Sequence, residues 1–73
     1  MMYILSQDKK ILCPIVKPIA IDNQNVDYAV VMYDYESTVV LGEYETEKRA
    51  LAIVYDIANA VSCGYPLYCM PRE

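Results

Sequence analysis

The sequence predicts an α+β domain, a small curved antiparallel sheet of four to five strands followed by one amphipathic helix packed on one face. Two observations carry that prediction. From Tyr3 to Tyr44, apolar residues come in short runs separated by polar or proline-containing breaks, which is the pattern of strands. At Leu41-Gly42-Glu43-Tyr44-Glu45-Thr46-Glu47-Lys48-Arg49-Ala50 the hydrophobic period then changes from about two to about 3.6 residues. Residues 1–73 read as a single domain, with strands over about 3–44, a helix over about 46–63 and an extended tail over 65–73.

Tyr3-Ile4-Leu5-Ser6 is a short strand, and Gln7-Asp8-Lys9-Lys10 is a polar turn back into Ile11-Leu12-Cys13. That loop lacks glycine, so a four-residue connection is expected in place of a tight primed turn. Pro14 and Pro18 bracket Ile15-Val16-Lys17 and interrupt pairing, because proline cannot donate to a ladder. Pro18-Ile19-Ala20-Ile21 resumes extended structure, and Asp22-Asn23-Gln24-Asn25 is a turn by the local bonding of its side chains. The return arm, 26–35, is the longest strand and has no polar face, so both its sides are expected to be covered. Glu36-Ser37 turns the chain into a last strand ending at Tyr44.

Thr46 is suited to cap the helix, Glu47 to its positive end, and Gly64 with Pro66 to its stop. Ala50, Ile53, Val54, Ile57, Ala58 and Val61 form the expected buried stripe, with Leu51 and Tyr55 at its margin. The tail Tyr65-Pro66-Leu67-Tyr68-Cys69-Met70-Pro71 suits an edge strand or an arm.

Composition excludes several function classes. A net charge of −4, with only 6 Lys and Arg in runs no longer than two, disfavours direct nucleic-acid binding. Three cysteines and no histidine give neither a zinc-finger spacing nor a base for a cysteine nucleophile. Neither a phosphate-binding glycine loop nor a long apolar span is present, and the cysteines read as reduced in a cytoplasmic protein. No catalytic, cofactor or metal residue is assigned. The Glu43 and Glu45 pair could serve acid–base work or hold a cation if a pocket lay beside it.

The eight tyrosines, in a chain without Trp or Phe, are the best functional signal. So small a domain cannot bury and satisfy them all, so Tyr28, Tyr33, Tyr35, Tyr44, Tyr55, Tyr65 and Tyr68 are candidate interface residues. The expected function is a non-enzymatic protein-interaction module, with a homo-oligomer, a dimer above all, or another protein as partner. Alternatives are a nucleic-acid-associated regulator or acidic mimic, and a small-ligand or metal-dependent protein using acidic residues.

Tyr3-Ile4-Leu5-Ser6-Gln7-Asp8-Lys9-Lys10, the junction Leu41 to Ala50 and the ending Tyr68-Cys69-Met70-Pro71 resemble short uncharacterised proteins of Gram-positive bacteria, their phages and prophages. The resemblance implies a small sheet, a turn into one helix, a tyrosine-methionine-proline tail and an accessory role on a mobile element. It implies no activity and no site.

Overall fold

The computed structural model describes residues 2–24, 27–33 and 37–73. Among them the chain runs β1 (Tyr3–Leu5), β2 (Leu12–Pro14), β3 (Ile19–Gln24), β4 (Asp27–Tyr33), β5 (Thr38–Tyr44), α1 (Glu47–Cys63) and β6 (Leu67–Cys69). The class is α+β as expected. Instead of one sheet, however, the strands form two open sheets of three, ordered β2-β1-β6 and β3-β4-β5. The expected antiparallel pairing fails at the tail: β6 runs parallel to β1, with Tyr3 opposite Leu67 and Leu5 opposite Cys69. The reason is directional, since the helix returns the chain to the end of the molecule where β1 starts.

The first hairpin is held by its own side chains. Lys9 N–H donates to the Ser6 carbonyl at 2.9 Å, and the Asp8 carboxylate accepts from Ser6 Oγ at 2.6 Å and from Lys10 N–H at 2.9 Å. Lys9 has φ 64, the left-handed region that glycine would occupy without steric cost. Asp22, Asn23 and Gln24, read from the sequence as a turn, lie in β3 opposite Ala29, Tyr28 and Asp27. Six registered backbone pairs with β4 carry the strand through these residues. Asn25 and the expected Glu36 turn lie outside the described residues.

Between β4 and β5 the register slips by one residue, so Val30 faces Gly42 while Val31 faces Val40. Leu41 is the extra residue of this bulge. Its side chain is buried, and its carbonyl accepts from Gln7 N–H at 2.8 Å, which ties the end of β1 to β5.

Thr46 caps α1, its Oγ1 accepting from Arg49 N–H at 3.1 Å. Gly64, at φ 76, ends it: Gly64 N–H reaches the Val61 carbonyl and Tyr65 N–H the Ala60 carbonyl, the paired bonds of a Schellman turn. The buried helix residues are Ala50, Ile53, Ile57 and Ala60. Ala58 and Val61, expected inside, are exposed, because the sheet covers a narrower arc than the apolar residues span. The core sits between the two sheets and α1, with Val30, Met32, Leu41 and Tyr44 from the larger sheet and Met2, Ile4 and Met70 from the chain's two ends. Among the described residues no helix is long and apolar enough to cross a membrane.

Candidate interaction surface

In the β2-β1-β6 sheet, Cys13, Ile4 and Tyr68 stand side by side in register and face the core. Alternation along each strand sends their neighbours to the opposite face. There Pro14, Tyr3 and Leu67 make one row, and Leu12, Leu5 and Cys69 the next. All six are apolar. Leu12 is 60% exposed, Leu67 46% and Tyr3 42%. A sheet with one face on the core ordinarily turns polar residues to water, and this one does not.

β6 is fastened mainly by bonds to its main chain. Tyr3 N–H donates to the Pro66 carbonyl at 2.9 Å and Met70 N–H to the Leu5 carbonyl at 3.0 Å. Beyond the strand, three consecutive backbone oxygens are each taken by a side chain from a different element. Tyr44 Oη of β5 donates to Pro71 at 2.7 Å, Gln7 Nε2 of the first loop to Arg72 at 2.7 Å, and Arg49 Nε of α1 to Glu73 at 2.9 Å. Gln7 also pairs with both backbone groups of Glu43, at 3.0 Å to its carbonyl and 2.9 Å from its N–H, as a strand partner would. Met70 is the one tail side chain buried in the core.

Tyr44 reaches Pro71 by lying back over Gly42. A Cβ on Gly42 would stand 2.7 Å from Tyr44 Oη and 2.9 Å from its Cε2, so glycine is required by the ring above it. Burial pushes the Tyr44 phenol up to about 12, with Tyr68 nearby reinforcing the shift and Arg49 opposing it. Burial also raises Tyr68, and the Asp56 carboxylate adds to the effect. The Cys13 thiol is raised by burial alone, which makes it a packed side chain and a poor nucleophile.

The tyrosines named from the sequence do not form one surface. Tyr44 and Tyr68 come together, but Tyr44 is buried and Tyr68 half-buried, and Tyr28 packs against the core. Tyr33 is exposed at the end of β4, and Tyr55 is 70% exposed on the outer side of α1. Tyr65 lies with Tyr68 beside the end of α1, near Asp56, Asn59 and Cys63, while Tyr35 lies outside the described residues. The six-residue face was missed, although its residues could have been found by noting that Tyr3, Leu5, Leu12 and Leu67 are apolar on both sides of their neighbours.

An open cleft of about 370 Å3 does lie beside Glu43 and Glu45, lined also by Tyr44, Thr46, Arg49, Arg72 and Glu73. Tyr44 Oη and Arg49 Nε on its wall are already committed to tail oxygens. Among the described residues no group of three or more Cys, Asp or Glu is placed to hold a metal ion. No protein-family model, curated protein or solved structure matches the chain.

Proposed function

We propose that the protein is a non-enzymatic interaction module that associates with a second copy of itself through the outer face of the β2-β1-β6 sheet. The observation that carries this reading is the charge-free surface of Tyr3, Leu5, Leu12, Pro14, Leu67 and Cys69 on a chain of net charge −4. Two acidic molecules repel over most of their surfaces, and such a face is where they can meet without opposing charge. An accessory role on a mobile element is the context that the resemblance implies.

Light scattering over a wide concentration range tests the reading, on wild type and on Leu12→Lys with Tyr3→Lys. A dimer that becomes a monomer in the double variant, with unchanged circular dichroism, is the expected result. A wild type that stays monomeric throughout, or a dimer indifferent to both lysines, would overturn it.

A further inference from the structure

We infer that the hollow between the end of α1 and Tyr68 of β6 binds a small quaternary ammonium compound, with Tyr65 and Tyr68 supplying aromatic faces and Asp56 the counter-charge. The site lies apart from the dimer face proposed above, because Tyr68 points from β6 to the core side while Leu67 and Cys69 point the other way.

The helix terminus builds the hollow. Asp56, Asn59, Ala60 and Cys63 follow one another at helical spacing and make one wall along α1. Gly64, at φ 76, reverses the chain, and the bond from Tyr65 N–H to the Ala60 carbonyl at 3.0 Å sets Tyr65 back beside the last turn. Tyr68, held against β1 by its strand, makes the other side. The space between them is open and measures about 390 Å3, and Ala60, buried and small, fills little of it.

The chemistry of the lining selects a cation. Among the described residues that line the hollow, only Asp56 is charged, and the chain as a whole carries −4. Burial and then the nearby Asp56 carboxylate push the Tyr68 phenol up, which places that carboxylate beside the ring. Arg49 also acts on Tyr68, but its Nε is committed to the Glu73 carbonyl. Phenol faces attract positive charge through the ring quadrupole, and Tyr65, 59% exposed, has a face open to a head group. A hard metal ion needs more oxygen ligands than one carboxylate, one amide and two phenols supply. A primary ammonium or a guanidinium brings several N–H donors that each need an acceptor. A quaternary ammonium has no N–H to satisfy, and ring faces beside a single carboxylate are all it requires.

Choline chloride is the probe, titrated into isotope-labelled protein while the Asn59 side-chain amide and the Cys63 backbone amide are followed by NMR. Saturable shifts at both groups are expected. The neutral isostere of choline, with carbon in place of nitrogen, is expected to bind at least about fivefold more weakly, as is choline to Tyr65→Leu and to Asp56→Asn. Tyr65 and Asp56 are exposed, so both variants should keep the wild-type spectrum elsewhere. Shifts that never saturate, that sodium chloride reproduces, or that the isostere matches would overturn the site. Equal affinity in both variants would overturn it too. Dimerisation is read separately by light scattering, so either reading can fail alone.

Discussion

The two sheets are built by opposite routes. In β3-β4-β5 the strands follow one another in sequence, are six or seven residues long, and carry α1 across one face. In β2-β1-β6 each strand has three residues, and the sheet closes only when the last of them returns to the first. The first region is held by ladder bonds and a local apolar core. The second depends on bonds from Gln7, Tyr44 and Arg49 to the tail and on the plug made by Met2, Ile4 and Met70. Loop-closure entropy grows slowly with length, so so distant a pairing is affordable, but it leaves a sheet with few contacts of its own. The difference teaches which sheet is held by pairing between sequence neighbours and which only by the return of a distant segment.

The largest break in this contrast comes from the shared core. Ile53 is fully buried where α1 meets the larger sheet, and Ile53→Ala is expected to cost about 4 kcal/mol, read as a lower urea midpoint for the whole domain. A local loss confined to the tail would show that the two sheets unfold separately. Next in size is Gly42→Ala, expected to cost about 3 kcal/mol, because the new methyl displaces the Tyr44 ring and with it the Pro71 bond. Faster hydrogen exchange at the Met70 amide, against unchanged exchange in β4, would locate that damage in the smaller sheet.

Tyr44→Phe keeps the ring and removes only the hydroxyl, for a loss of about 1 kcal/mol at neutral pH. Its pH dependence is more telling. The folded phenol titrates at about 12, above the unfolded value near 10, so its contribution is complete below pH ~10 and is lost as pH rises toward about 12. Alkaline denaturation of wild type should therefore be steeper than that of Tyr44→Phe, and equal slopes would remove Tyr44 from the account. The smallest effects lie at the two left-handed residues. Gly64→Ala should destabilise by about 1 kcal/mol through backbone strain alone, since nothing lies within 4 Å of the added Cβ. Lys9→Gly should stabilise by a similar amount, about 1 kcal/mol, measured as a rise in melting temperature.

Much of the larger sheet and the helix could be read from the chain. Thr46, Gly64 and Pro66 mark the helix because capping and termination are local chemistry, and β5 ends at Tyr44 where the period changes. In the smaller sheet the first hairpin and an edge strand in the tail were also legible, from the polar turn and the prolines, but strands of three residues are too short to display a period, so the pairing of β6 with β1 and the outward apolar face gave no comparable signal. Tyrosine content pointed to an interface, but Tyr44 is buried through a contact with Gly42 two residues away, and Tyr68 through the return of the tail. Neither event is visible in a list of residue types. Gln7 carries no sequence signal at all, since an amide that binds the backbone of Glu43 and Arg72 looks like any loop glutamine until those segments arrive.

Sequence alone therefore determined the class and the helix with its ends, because propensity and capping act between near neighbours. Tertiary structure decided the division into two sheets, the parallel return of the tail, and which apolar residues face outward. Those depend on pairing between segments more than sixty positions apart, such as Leu5 with Cys69, where the energy of a contact exists only after the chain has closed.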